Sequence, residues 1–246
     1  MAAIPEPDHP ETARYDLLRP GRIDYAQGLA LQLLRVERLI RHGGPNLLML
    51  LEHAPVYTVG RSGKMEEILP SATGHPSITV VTTDRGGRVT YHGPGQQVAY
   101  VIRDLRPDTG RVLDHVRRLE EWVLRTLARF DIHGDRDRRN PGVWVGGEKI
   151  AALGVRIRSG ITYHGIAINR DPDLTHYSGI IPCGIRDRGV TSMARLGCHA
   201  SALELEQTLL QHFPPVFDAS FTTPSAVESS TERHDSTIAA PGKVQP

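Results

Sequence analysis

The sequence of residues 141–169 is PGVWVGGEKIAALGVRIRSGITYHGIAIN. Three runs rich in β-branched and apolar residues within it are typical of strands, namely 141–145, 149–158 and 161–169. Glycine-containing pairs at 146–147 and 159–160 separate the runs at the spacing of hairpin turns. Because no helix intervenes, the stretch predicts neighbouring antiparallel strands.

The rest of the chain adds further strands and a few separate helices. Further strands are predicted at 13–19, 47–52, 56–60, 77–83 and 98–102. Helices are predicted from a cap at Asp24, from a cap at Asp108 or Thr109, and from a Ser201–Glu204 capping box to Pro214. We therefore predict an α+β fold, a mixed or antiparallel sheet with flanking helices. Its folded domain spans 13–218, with an N-terminal tail at 1–12 and a disordered tail at 219–246.

Composition excludes several classes of protein. The 246 residues are 39% hydrophobic and 23% charged, as in soluble globular proteins. A net charge of +1 gives no reason to expect binding to nucleic acid or to an anionic membrane. We find no signal peptide and no apolar run near the roughly 18 residues of a membrane helix. Two cysteines, Cys183 and Cys198, are best read as reduced thiols, which predicts a cytoplasmic protein.

The chain has few lysines. Of 29 basic residues, 26 are arginines and three are lysines, Lys64, Lys149 and Lys243. Arginine keeps its proton in proteins, whereas lysine can release it. Lys149 begins an apolar strand in a glycine-rich stretch, so it is a candidate for proton transfer; a solvated charge beside Glu148 is the alternative.

Cys183 is a candidate nucleophile. It lies between Pro182, which restricts the backbone, and Gly184, which lacks a side chain that would crowd an incoming acyl group. Cys198 and His199 are adjacent, and adjacent side chains usually point apart, so we expect no catalytic pair there. No cysteine or histidine spacing matches a zinc site, and we predict no metal.

The stretch 85–95, RGGRVTYHGPG, has four glycines in eleven residues. Glycines allow the backbone to approach a ligand and to expose N–H groups. No Gly-Lys-Ser/Thr and no helix follows, which excludes a phosphate loop and a dinucleotide fingerprint. A ligand-binding loop and a hairpin tip with a bulge both remain open.

Residues 161–169 alternate between two faces of a strand. The pattern places Thr162, His164, Ile166 and Ile168 on one face. It places Tyr163, Gly165 and Ala167 on the other, where small side chains would leave room for a ligand chain. His164 is either a structural histidine or a site residue.

Six motifs in order resemble the lipoyl(octanoyl) transferases. They are EHAPVYTVGR (52–61), RGGRVTYHGPGQ (85–96), PGVWV (141–145), KIAALGV (149–155), HGIAIN (164–169) and IPCGI (181–185). The resemblance covers about residues 14–215. It implies a fold like that of biotin and lipoate protein ligases.

The resemblance also implies an activity and a set of site residues. Members of this family are acyltransferases that move an octanoyl group from acyl carrier protein to a lysine of lipoyl domains, in 2-oxoacid dehydrogenases and the glycine-cleavage H protein. Cys183 and Lys149 match the family's catalytic residues. Its acyl-binding segments match Arg85, Gly86, Gly87, Arg88, Val89, Thr90, Tyr91 and His92, then Ala152, Leu153 and Gly154, and then Gly165, Ile166 and Ala167. No cofactor is implied.

A mechanism follows from combining these residues. The ammonium of Lys149 would favour the thiolate of Cys183, which attacks the donor thioester. Lys149 would then accept a proton from the acceptor lysine. Backbone N–H groups near Gly184 and the His92 loop are candidates for holding the oxyanion. Thioester exchange and amide formation are downhill, so neither ATP nor a metal is needed.

Three other activities remain open at this point. An ATP-dependent lipoate or biotin ligase would form an acyl-adenylate and would need no nucleophilic cysteine. A non-catalytic acyl-binding module would hold the octanoyl group without covalent attachment. A cysteine thioesterase would release the free acid.

Overall fold

The computed structural model describes residues 12–69, 78–106, 112–181 and 188–222. Within them the helices are α1 (Tyr25–His42), α2 (Val112–Ala128) and α3 (Ala202–Phe217). The strands are β1 (Ala13–Ile23), β2 (Asn46–His53), β3 (Val56–Val59), β4 (Thr79–Thr82), β5 (Val89–His92), β6 (Gln96–Asp104), β7 (Asp135–Arg136), β8 (Gly142–Val145), β9 (Glu148–Arg158), β10 (Ile161–Asn169) and β11 (Ala219–Phe221). Short 3₁₀ helices cover Met65–Glu67, Leu174–Gly179 and Ala194–Leu196.

Eight strands form one mixed sheet, in the order β11-β1-β2-β6-β10-β9-β8-β7. The strands β11, β1 and β2 are parallel, and the others pair antiparallel. β8, β9 and β10 lie side by side as the sequence predicts, so the expected α+β fold with a mixed sheet is confirmed.

Helices cover both faces of this sheet. Val36 and Leu39 of α1 pack on one face with Met49 of β2. Leu48 and Leu50 of β2 point to the opposite face, into a core shared with α2 and α3. Because both faces are buried, β2 is an uninterrupted apolar run rather than an alternating one.

A second sheet has three strands in the order β4-β3-β5. β3 pairs parallel with β4 and antiparallel with β5. The glycine-rich stretch 85–95 therefore includes the strand β5, and it is not the tip of a hairpin. A turn at 93–95 leads from β5 directly into β6 of the large sheet.

The predicted end of the first strand is wrong. β1 does not stop at residue 19 but continues through Pro20-Gly21, where the register shifts and Gly21 has a φ of 73°. This is a bulge, which glycine tolerates because it has no Cβ.

The C-terminal boundary also needs correction. α3 begins at the predicted capping box, where the Glu204 N–H donates to Ser201 Oγ at 3.2 Å. It passes Pro214 and ends at Phe217, because burial of Phe217 against the core favours one further turn. Ala219–Phe221 then form β11, so these residues belong to the folded domain and not to a disordered tail.

Some predictions lie outside the described residues, including the helix cap at Asp108 or Thr109 and Cys183 itself. No helix in the described part of the chain is long and apolar enough to cross a membrane.

Candidate active site

Three separate segments of the chain meet around one cavity. Its enclosed volume is about 50 Å³, and the space widens into solvent at the mouth. Of the residues predicted to bind the acyl group, twelve line it: Arg85, Gly87, Arg88, Val89, Thr90, His92, Ala152, Leu153, Gly154, Gly165, Ile166 and Ala167. Tyr25, Val98, Tyr100 and His164 complete the wall.

Two of the predicted residues, Gly86 and Tyr91, do not line this cavity. Side chains of β5 alternate, so Tyr91 points away from the side that His92 faces. Its ring packs 5.8 Å from Tyr57 and 5.7 Å from Tyr177, between ring centroids, in the core of the small sheet. Tyr91 therefore supports the wall from behind.

The glycines of the wall let segments of backbone pack closely. The Gly86 N–H donates to the Val155 carbonyl of β9 at 3.1 Å. A Cβ on Gly154 would lie 2.7 Å from the Gly86 carbonyl oxygen, and one on Gly165 would lie 2.1 Å from that of Ala99. At Gly165 the missing side chain is needed for strand packing, rather than for room for a ligand as the sequence suggests.

Arg85 binds the loop to the small sheet. Its buried guanidinium donates to the Thr58 carbonyl and to the Arg88 carbonyl, each at 2.7 Å. Arg88 pairs with the buried carboxylate of Glu67. The cationic heads of both arginines thus have protein partners.

His92 is held as one neutral tautomer. Asn169 must direct its Nδ2 at the Thr191 carbonyl (2.9 Å), so its Oδ1 accepts from Gln96 Nε2 (2.9 Å). Gln96 Oε1 then faces His92 Nδ1 at 2.6 Å, and this nitrogen carries the proton. Burial, with help from the neighbouring His53, lowers the pKa of His92 to about 3. Its Nε2 is therefore an acceptor and not a donor at neutral pH.

The other polar rings at the cavity are also uncharged. His53 Nδ1 contacts the Ile23 carbonyl at 3.0 Å and carries the proton, so its Nε2 accepts from the Tyr100 hydroxyl at 2.7 Å. Burial lowers the pKa of His53 and raises the pKa values of Tyr100 and Tyr25. Tyr25 pairs with Thr83 at 2.8 Å. A wall of neutral rings and apolar side chains suits an uncharged, apolar ligand chain.

His164 does not lie on the face that the strand alternation predicts. Its φ is 63°, and its ring stacks on that of Tyr163 with centroids 4.8 Å apart, so two successive side chains share one side. The left-handed conformation turns His164 away from Ile166. The ring Nε2 of His164 lies 3.0 Å from Asp84 Oδ1. The backbone N–H of His164 donates to the side-chain Oε1 of Gln32 in α1 at 2.7 Å.

Lys149 is almost fully buried at the start of β9, with 6% of its surface exposed. Its Nζ donates to the Pro141 carbonyl at 3.1 Å and lies 4.7 Å from the ring centroid of Trp144. A Cβ on Gly142 would lie 3.4 Å from Cε of the lysine, so the stem runs along this glycine. The alternative of a solvated edge charge is therefore wrong.

Residues 182–187 contain Cys183, and we call them the Cys183 segment. The described residues on both sides of this segment form backbone hydrogen bonds with the rest of the protein. Before it, the Ile181 N–H donates to the Glu67 carbonyl at 2.8 Å. After it, the Lys149 N–H donates to the Gly189 carbonyl, and the Thr191 N–H to the Lys149 carbonyl, each at 3.0 Å. The chain therefore returns from the cysteine segment alongside Lys149 itself.

Cys198 is half-buried and packs against the core shared with α2 and α3. In the described part of the chain, no group of three or more potential ligands from His, Cys, Asp and Glu could hold a metal ion.

Sequence reasoning missed Tyr25, Val98 and Tyr100 as wall residues. Tyr25 fits the helical period of α1, and Val98 and Tyr100 fit an ordinary strand, so no local signal distinguished them. Their position follows only from the order of the strands in the sheet and from the way α1 crosses it.

Comparison with known proteins adds a family assignment. The sequence model for the lipoyl protein ligase A/B catalytic domain matches residues 24–214. An octanoyltransferase of Magnetococcus marinus is 50% identical over 172 residues, which cover 70% of this chain and 79% of the relative. An octanoyltransferase of Paramagnetospirillum magneticum is 45% identical over 202 residues, or 80% of this chain and 93% of the relative.

Among solved structures, a putative lipoate protein ligase of T. acidophilum with bound lipoic acid superposes with a TM-score of 0.70. It is 18% identical and covers 87% of this chain and 90% of its own. At that identity the similarity supports the fold alone, in agreement with the ligase-like fold expected from the motifs.

Proposed function

Because the chain belongs to the octanoyltransferases of the lipoyl protein ligase A/B catalytic domain family, we propose that it transfers an octanoyl group to a lysine during protein lipoylation. The donor is octanoyl-acyl carrier protein. The acceptors are the lipoyl domains of 2-oxoacid dehydrogenases and the glycine-cleavage H protein. Cys183 carries the octanoyl group as a thioester between the two steps.

The observation that carries this proposal is the cavity formed by the three predicted acyl-binding segments. Its walls combine Val89, Val98, Leu153 and Ile166 with polar rings that are held neutral. Each methylene buried there contributes about 0.8 kcal/mol to binding. An octanoyl chain gains from burial against these apolar side chains.

Lys149 is the proton-transfer residue in this proposal. In the first step its ammonium favours the Cys183 thiolate, which attacks the octanoyl thioester; the carrier sulfur leaves and takes the proton of Lys149, so that the lysine becomes neutral. In the second step the amine of the acceptor lysine displaces the Cys183 thiolate, and the neutral Lys149 takes the proton that this amine loses as the amide forms. The anchoring of Gly189 and Thr191 on Lys149 supports the meeting of these two groups.

The His92 ring takes no part as a donor in this scheme. With its proton on Nδ1 and directed at Gln96, its Nε2 has no hydrogen to offer an oxyanion. Backbone N–H groups therefore remain the candidates for that role. The thiol must be reduced, which fits the cytoplasmic location predicted from the sequence.

Intact mass measurement tests the intermediate. We expect the full chain, incubated with octanoyl-acyl carrier protein, to gain one octanoyl group. The Cys183→Ala variant should gain none, and Cys198→Ser should behave as the wild type. An adduct that persists in Cys183→Ala, or that maps to Cys198, would contradict the proposal.

The competing activities differ in their products. A ligase would need ATP and free octanoate, a thioesterase would release octanoic acid, and a binding module would form no covalent adduct. We expect octanoyl-lysine on the lipoyl domain from the thioester donor, with or without ATP.

A further inference from the structure

We propose that Trp144 is a positioning residue for Lys149, with one indole ring serving as the shared support for Lys149 and Arg188. This inference rests on the role of Lys149 in the proposed function. Trp144 belongs to β8 and is 3% exposed. Its role would be to hold the lysine head in place, without contact to the reacting atoms.

The indole ring has two cationic neighbours. Lys149 Nζ lies 4.7 Å from its centroid, and the guanidinium carbon of Arg188 lies 3.6 Å from it. By the sum of these distances, the two cationic groups are at most about 8.3 Å apart. Like charges this close repel, and the electron-rich face of an indole offsets this for both.

The ring itself is fixed in orientation. Its Nε1–H donates to the Asn140 carbonyl at 3.1 Å. Asn140 is held in turn by Asp137, whose Oδ1 accepts the Asn140 N–H at 3.3 Å. Rotation of the Trp144 side chain would break the first bond and leave a buried N–H without its acceptor.

Arg188 is fixed by groups that also belong to this neighbourhood. Its Nη1 pairs with the Asp137 carboxylate, and its Nε donates to the Gly147 carbonyl of the β8–β9 turn at 3.1 Å. Asp137 thus anchors both Arg188 and, through Asn140, the indole. Arg188 is the first described residue after the Cys183 segment.

Lys149 depends on this support because its charged head is buried. An ammonium removed from water needs hydrogen bonds or favourable electrostatics to remain charged. The Pro141 carbonyl at 3.1 Å supplies one hydrogen bond, and the indole face supplies a neutral surface that favours a cation. Loss of the ring would leave the lysine head without this contact.

Trace labelling of lysine tests the inference directly. The chain has only three lysines, so acetic anhydride labelling read by peptide mass spectrometry resolves Lys149 against Lys64 and Lys243. In the full-length Trp144→Leu variant we expect Lys149 labelling, relative to Lys64, to rise about fivefold or more, because the amine is freed. Trp144→Phe, which keeps an aromatic face, should stay within about twofold of the wild type.

This readout does not depend on transfer activity. If octanoyl transfer through Cys183 is absent, the proposed function fails, and labelling still decides whether Trp144 controls Lys149. Unchanged Lys149 labelling in Trp144→Leu, or labelling in Trp144→Phe as high as in Trp144→Leu, overturns the inference. If Trp144→Leu does not fold, as judged by circular dichroism, Trp144→Met is the second non-aromatic variant with the same expectation.

Steady-state kinetics test whether the Trp144 ring affects octanoyl transfer. We expect Trp144→Leu to lower kcat for octanoyl transfer about tenfold, with KM for donor and acceptor within about twofold, and Trp144→Phe to retain most of kcat. Arg188→Gln should lower kcat about threefold in the wild type and have little further effect in Trp144→Leu, because both act through one ring. A rise in KM alone, or additive effects in the double variant, contradicts the shared support.

Discussion

The side-chain amide of Asn169 donates to the backbone carbonyl of Thr191 at 2.9 Å, and the Thr191 N–H donates to the carbonyl of Lys149 at 3.0 Å. The same Asn169 side chain orients Gln96 and, through it, the ring of His92. One buried amide therefore connects the cavity wall to the strand that carries Lys149. We therefore expect a substitution of Asn169 to affect both the cavity wall at His92 and the strand that carries Lys149.

Asn169→Leu should release the His92 tautomer. A leucine can neither donate to the Thr191 carbonyl nor accept from Gln96, so we expect a loss of about 2–4 kcal/mol in the free energy of unfolding. In the wild type, nitrogen NMR should report a neutral His92 with its proton on Nδ1 down to about pH 5, since its pKa is lowered to about 3. In the variant the fixed Nδ1–H tautomer should be lost.

Gln97→Leu is the matched control for this variant. Gln97 is a buried amide of β6 that donates to the Leu51 carbonyl at 3.3 Å and has no bond to His92. It should lose stability and keep the His92 tautomer. The same His92 signal in Asn169→Leu as in the wild type would show that Asn169 does not set the tautomer.

Lys149→Arg should keep the fold and lose octanoyl transfer by about a hundredfold or more, because arginine cannot release its proton. Transfer is measured as octanoyl-lysine formed on a lipoyl domain. Lys64, an exposed residue, provides the control: Lys64→Arg should transfer at the wild-type rate. Full activity of Lys149→Arg would remove Lys149 from acid–base catalysis.

His115→Leu should make the protein more stable in mild acid. His115 is a buried residue of α2, and in the described structure neither ring nitrogen has a hydrogen-bond partner. Burial, reinforced by Arg103 and Arg118, lowers its pKa to about 3. Between its unfolded pKa of about 6.5 and pH 3, only the unfolded state binds the proton, so the wild type loses stability as pH falls.

The His115→Leu variant removes the loss of stability that protonation of this histidine causes as the pH falls. We expect the slope of unfolding free energy against pH to decrease by about 1.4 kcal/mol per pH unit within that window, and stability at pH 7 to rise by about 1–2 kcal/mol. Urea unfolding at several pH values measures both. His133→Gln, at an exposed position, should leave the slope as it is. A slope in His115→Leu equal to that of the wild type would disprove the assignment.

Gly154→Ala should disturb the cavity wall. The new Cβ would lie 2.7 Å from the Gly86 carbonyl oxygen, so the loop at 85–87 must move away from β9. We expect a loss of about 1–3 kcal/mol in stability and a rise in KM for the octanoyl donor. Gly44→Ala places a side chain at a φ of 108° with no atom within 4 Å, so it should cost stability without changing KM. Equal KM values in the two variants would argue against a role of this loop in binding the donor.

Local patterns predicted the elements better than their arrangement. The meander of β8, β9 and β10 was readable because apolar runs and glycine turns are local signals. The bulge at Gly21 was not, since the continuation of β1 depends on pairing with β2, a tertiary contact. The left-handed backbone at His164, which turns its ring to the opposite side of the strand, likewise depends on contacts with Asp84 and Gln32, which lie far away in sequence.

The same distinction between local sequence patterns and tertiary contacts applies to the candidate site. Lys149 could be selected from composition and position, because lysine is rare in this chain. The motifs identified the three wall segments, but the closure of the wall by Tyr25 and Tyr100 depends on how α1 crosses the sheet. The orientation of the His92 ring depends on Asn169 and Thr191, and no sequence pattern encodes that chain of bonds.

The short strand β11 covers an edge of the large sheet. It pairs with Ala13–Tyr15 of β1, and Thr222 continues the contact through its N–H to the Tyr15 carbonyl at 2.8 Å and its hydroxyl to Asp16 at 2.6 Å. A chain shortened to residue 218 would leave the start of β1 with unpaired backbone groups, a template for self-association. A chain ending at residue 222 keeps that edge covered. We expect light scattering to detect aggregates of the first and a single species for the second.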